Sequence, residues 1–193
     1  VMSDQAAPGD LPPAQSLSLT ALENTAADVT LGPEVMLRGL GQVTGSAFPA
    51  PPRLTLQGGA KAEGGTLELA SSIDVEARFL GAAAGATLTH MAEFDATVTE
   101  RLVIGLGTVN GAPATGALLT GRFTSVSVLE FSVDGPFDAP LGSEFAILDA
   151  VGEITDTFGS VLGADVPGPT ALALVREADV LFARVVPDAQ AGA

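Results

Sequence analysis

From Leu17 onward, apolar residues recur at every second position in short runs. Examples are Leu17-Ser18-Leu19-Thr20, Val29-Thr30-Leu31, Val35-Met36-Leu37, Leu54-Thr55-Leu56-Gln57 and Thr66-Leu67-Glu68-Leu69, then residues 73–79. A period of two places apolar side chains on one face and polar ones on the other, the signature of a half-buried strand. The same pattern returns at 87–91, 94–104, 126–133, 145–148 and 180–186. Only two short pieces admit a helical reading, 139–143 as a turn and 169–177, and the second also alternates.

Turn chemistry separates the runs: Gly32-Pro33, Ala50-Pro51-Pro52, Gly58-Gly59, Gly64-Gly65, residues 81–85, Asn110-Gly111 and Asp134-Gly135-Pro136. Strands divided by turns, with almost no helical period, predict an all-β protein. Two architectures compete. In a β-sandwich or jelly roll the strands are joined by hairpins, with Asn110-Gly111 and the two Gly-Gly pairs as tight turns. In a parallel β-solenoid or related sheet stack, each coil carries a short strand, a Gly-rich corner and an inward stack of small aliphatic residues, at a period of roughly 20 residues. The runs at 54–56, 66–69 and 87–89 recur loosely and unevenly. The stack is the preferred reading, over a single domain at 17–187 in which 128–187 closes the apolar core. Residues 1–16, rich in Pro, Gly and Ala without periodicity, read as a mobile leader, and 188–193 as a tail.

Charge narrows the partners. Eight Lys and Arg stand against 23 Asp and Glu, a formal charge of −15. One Lys and seven Arg, scattered singly, cannot neutralise a row of phosphates, so no nucleic-acid partner is expected, nor binding to an anionic membrane surface. Apolar residues make up 47% of the chain, but their runs are short and broken by Gly, far below the roughly 20 residues of a spanning helix. No membrane insertion is expected. Val1-Met2-Ser3-Asp4 carries neither a basic nor an apolar signal region, so a signal peptide is expected to be absent or already removed. With no Cys, disulfides, thiolate metal sites and cysteine nucleophiles are excluded. With no Trp or Tyr, the flat stacking platforms usual in carbohydrate clefts and single-strand nucleic-acid grooves are missing too.

The last third carries a resemblance. Leu129-Glu130-Phe131-Ser132-Val133-Asp134-Gly135-Pro136-Phe137 leads to Pro140-Leu141-Gly142-Ser143-Glu144-Phe145-Ala146-Ile147-Leu148-Asp149-Ala150. Gly152-Glu153-Ile154-Thr155-Asp156-Thr157-Phe158 follows, and then a final strand at 180–186 before Pro187-Asp188. This segment of about 60 residues resembles one common in bacterial PEP-CTERM and autotransporter-type surface proteins. The resemblance implies an exported, repetitive β-protein, secreted or held at a bacterial cell surface, often a β-solenoid, and brings no catalytic positions. The Pro-Glu-Pro of the sorting signal is absent, and Val185-Val186-Pro187-Asp188 only approximates it.

Candidate chemistry is sparse. Gly105-Leu106-Gly107-Thr108-Val109-Asn110-Gly111 superficially matches a dinucleotide-binding turn, but Pro113, Thr115 and Gly116 interrupt the helix that must follow, so a Gly-rich turn is expected. His90 is the single imidazole, so any serine-type triad must use it. Without a G-x-S-x-G setting it reads as a structural His, at the surface or partly buried. Glu68 with Asp74 and Glu76, or Asp134 with Asp138, are candidate carboxylate pairs for glycoside hydrolysis, and alternation assigns the first three to solvated strand faces. No cofactor is required. Calcium is the one most compatible with the Gly- and Asp-containing turns, with Asp134, Asp138, Asp149 and Asp156 as the residues to watch, although no EF-hand or calcium-solenoid repeat is present.

These features together predict a non-enzymatic structural or adhesive protein of a bacterial surface or extracellular assembly. Its partner is itself or another protein subunit, in a homo-oligomer or larger assembly formed by strand addition. The runner-up is a virion or particle decoration protein with a β-sandwich fold. A β-helix polysaccharide hydrolase or lyase ranks third.

Overall fold

A computed structural model describes residues 15–19, 29–45, 53–70, 74–125, 128–155, 158–164, 166 and 170–188. The expected leader and tail fall almost wholly outside these residues. Within them the protein is all-β, with fourteen strands in one curled mixed sheet and no α-helix. In chain order the strands are β1 (Gln15–Leu19), β2 (Val29–Leu31), β3 (Leu37–Gly45), β4 (Arg53–Leu56), β5 (Ala60–Leu69), β6 (Asp74–Ala82) and β7 (Thr87–Val109). They continue with β8 (Ala112–Thr115), β9 (Ala117–Ser125), β10 (Val128–Val133), β11 (Glu144–Ile154), β12 (Ser160–Leu162), β13 (Thr170–Glu177) and β14 (Val180–Pro187).

Most pairs are parallel, and each joins residues 20 to 32 positions apart, from Ala60 with Leu80 to Val128 with Ser160. The chain therefore returns to the same place once per 20 to 32 residues, and it does so along three ladders. The first runs β2, β4, the start of β6, the middle of β7, the end of β9 and the end of β11. On the second lie the start of β3, the start of β5, the end of β6, then β7 around Leu102, β10 and β12. The third runs β1, the end of β3, the end of β5, the start of β7, the start of β9 and β11 around Leu148. Parallel pairing needs a crossover where hairpins suffice for antiparallel pairs, and here the other two ladders supply it.

Identical alternation on successive strands turns these ladders into stacked apolar rows. Leu67, Leu88, Leu118 and Leu148 face one another in register on the third ladder, and Leu80, Leu102 and Leu129 on the second, all 4% exposed or less. Burying one such Leu stabilises the fold by about 1.5–3 kcal/mol, so the rows hold the stack together. The buried cluster is continuous from Val43 to Val185.

Glycine sets how closely the strands approach at the corners. A Cβ on Gly116 would lie 2.1 Å from the Ala82 carbonyl oxygen. Gly59, at φ +93°, turns between β4 and β5 where a Cβ would strike the Phe79 carbonyl oxygen at 2.3 Å. Gly58-Gly59 is thus a corner and not a hairpin, since β4 and β5 both pair with β6 and not with each other. Gly64-Gly65 lies inside β5, where the strand leaves the second ladder for the third. Asn110-Gly111 is the tight turn its residue types predict: φ values of 51° and 79° close the antiparallel β7–β8 hairpin between Val109 and Ala112.

At the C-terminal end the chain reverses. β14 pairs antiparallel with β11, β13 pairs antiparallel with β14, and Ala178 at φ 52° lies in the turn between them. The helical alternative for 169–177 gives way to strand β13, because Ala171 and Leu172 are buried as part of the sheet. Residues 139–143 form the expected turn, with the Ser143 N–H donating to the Pro140 carbonyl at 3.0 Å.

Candidate functional site

His90 lies on β7 two residues after Leu88, so both point inward. It is only 2% exposed, and its Nδ1–H donates to the Leu69 carbonyl oxygen at 2.9 Å. Its register partner, Thr120, is fully buried and donates from Oγ1 to the Arg122 carbonyl at 2.9 Å. The imidazole is therefore deeper than the surface or partly buried setting expected of it. Enclosed in the core, it acts as a polar strut between successive strands of the third ladder.

The structure separates the first of the sequence's carboxylate groupings and keeps the second on one segment. Glu68 lies on the third ladder, whereas Asp74 and Glu76 occupy the first. Glu76 is exposed and Glu68 half-buried. Asp134 and Asp138 share the exposed segment after β10, where Asp134 Oδ1 accepts from Ser132 Oγ at 3.0 Å. Asp149 is exposed on β11, opposite Val180, and Asp156 lies outside the described residues. Among the described residues no three His, Asp or Glu side chains are grouped to hold a metal ion. Gly105-Leu106-Gly107 lies within β7 and runs into the β7–β8 hairpin, with no helix after it. A Cβ on Gly105 would meet the Asp134 carboxylate oxygen at 2.6 Å, so that glycine serves the packing of the 134–138 segment.

Three of the eight scattered cations instead pair with a carboxylate on a neighbouring strand. Arg78 on β6 donates to Glu100 on β7 at 2.8 Å, and Arg101 meets Glu130 of β10 at 2.7 Å. Arg184 of β14 pairs with Glu144, its register partner on β11. On the first ladder Arg53 stands opposite Asp74, and Arg122 stands between Asp95 and Glu153.

One exposed apolar feature lies on the ladder plan. Val161 of β12 occupies the register position of Leu129. Leu129 is fully buried, yet Val161 is 38% exposed and Leu162 beside it 46%. Among the described residues β12 pairs only with β10, so its other edge carries no strand. Val161-Leu162, bracketed by Ser160 and Gly163, is too short a run to register as a strand in sequence, and only its place at the end of a ladder gives it meaning. In comparisons with known proteins the chain matches no family model and no curated protein.

Proposed function

We propose that this protein is a non-enzymatic structural or adhesive component of an extracellular or bacterial-surface assembly, and that its three ladders are the faces of a β-solenoid. The observation that carries this reading is β12, an inward-register apolar residue left open at the end of an otherwise buried row. An uncovered strand edge adds another strand by backbone hydrogen bonding, with side-chain pockets giving specificity. Two further features support it. Coil-to-coil pairing at 20 to 32 residues suits an axial stack, and the pairs Arg78–Glu100, Arg101–Glu130 and Arg184–Glu144 join neighbouring strands. The PEP-CTERM and autotransporter-type resemblance of residues 128–187 suits an exported protein.

The test is the mass in solution by light scattering, from low to high protein concentration, with calcium and with chelator. Growth into defined oligomers or filaments is the expected outcome. A monomer at every concentration, persisting when the C-terminal hairpin at 170–187 is loosened, overturns the assembly reading, and growth that needs calcium assigns control to the turns bearing Asp134 and Asp138.

A further inference from the structure

Counting strands along the three ladders shows what a following copy would need. Take one coil as one visit to each ladder. The coil that begins with β2 continues into β3 on the second and third ladders, and β1 lies one coil earlier, on the third ladder alone. At the other end, the last coil has the end of β11 on the first ladder and β12 on the second. Its place on the third ladder is filled by β14, which pairs with β11 at Leu148, and β13 lies one step beyond.

If a second copy continued the stack, its β3 would pair with β12 and its β2 with the end of β11. Its β1 would then be required one step earlier on the third ladder, against β11 at Leu148, which is the place that β14 occupies. With β14 and β13 displaced, all three ladders of the two copies would join without a gap. With them in place, the junction is blocked on one ladder and, among the described residues, open on the other two. From this juxtaposition we infer that the β13–β14 hairpin is a gate on head-to-tail stacking of this chain, and that the partner admitted at β12 and β11 is the N-terminal end of a second copy, entering through its β1, β2 and β3.

The inference rests on the solenoid and assembly reading above and adds its control. Three features of the hairpin suit a removable cover. It reverses the strand direction of every other pair on its ladder, its junction with β11 contains a register shift between Ala146 and Leu148, and its outer end carries the exposed residues Arg176 and Glu177. A reversed, charged last strand does not itself template a further parallel coil.

The experiment uses the full chain. Glu144→Cys with Arg184→Cys places two thiols at register partners in a protein that has no other cysteine, so oxidation pins β14 to β11. Arg184→Glu sets two carboxylates opposite each other and loosens the hairpin, and Leu181→Asp loosens it further by placing a charge opposite Leu148. Leu17→Pro removes a backbone donor from β1, the strand that must replace β14. In light scattering at physiological salt, the loosened variants are expected to gain at least a doubling of average mass over wild type. The oxidised double-cysteine protein is expected to stay monomeric and to regain growth on reduction. Adding Leu17→Pro to Arg184→Glu is expected to abolish the gain. If the wild type assembles and the oxidised form assembles equally, the gate is wrong while the assembly reading stands. Should Arg184→Glu retain its β circular dichroism and stay monomeric, the gate is overturned. A monomer in every variant and in wild type overturns both readings.

Discussion

A few side chains decide how closely the strands can stack. Gly116 is buried against the Ala82 backbone, and Gly116→Ala is expected to cost about 1–3 kcal/mol by forcing the two strands apart. Gly135→Ala is the matched control. Nothing lies within 4 Å of its Cβ position, so it should stay within about 0.5 kcal/mol of wild type in the same urea titration. At His90 the cost has another source. His90→Leu leaves the buried Leu69 carbonyl without the imidazole donor, and an unmade buried hydrogen bond costs about 1–3 kcal/mol. Guanidinium unfolding of this variant should show the loss as a lower midpoint at unchanged slope. The sequence placed His90 on the same strand face as Leu88, and that spacing was sufficient to point it inward. Its depth was not legible, because burial depends on strands β5 and β9, distant in sequence, that flank it on both sides.

At the level of strands, the pairing residues explain which elements the alternation reveals and which it hides. Strands β4, β10 and β14 alternate cleanly and stand out in sequence. β9 does not, because Leu118 and Leu119 are adjacent and Gly121 interrupts the period, and its place follows only from the Leu88–Leu118–Leu148 row. The runs at 87–91 and 94–104 fuse into one strand, β7, that serves all three ladders in turn. Cross-strand ion pairs contribute less than these rows do. Arg101 and Glu130 are half-exposed and partly exposed, so Arg101→Gln is expected to cost no more than about 1 kcal/mol. The difference from wild type should shrink further in a thermal melt at high salt, as screening removes the attraction.

For the whole molecule the balance is between a long apolar core and the mutual repulsion of an outer surface with a formal charge of −15. Self-repulsion weakens a compact fold, and salt screens it over a length that falls to about 8 Å at physiological ionic strength. The melting temperature is therefore expected to rise between low-salt buffer and physiological salt, as followed by circular dichroism at 218 nm, near the usual β minimum. A melting temperature that falls over that interval would show that attractive surface pairs outweigh the net charge. The same repulsion opposes end-to-end contact between copies, so any assembly should strengthen along the same salt series.

By itself, the sequence determined the all-β class of the protein and the inward face of its clearly alternating strands, because period-two alternation and Gly-rich turns are local properties. It also determined the Asn110-Gly111 hairpin, whose two positive φ values those residue types adopt at little cost. Tertiary structure alone decided which strands meet, since a row such as Leu67, Leu88, Leu118 and Leu148 is spaced by unequal intervals that no fixed period displays. It also decided that Glu68 and Glu76 lie on separate ladders, and that among the described residues the first and second ladders end open while the third is covered at Leu148 by a reversed hairpin. Those are relations between segments far apart in the chain, and the free energy that fixes them comes from burying apolar area between paired strands rather than from any local preference.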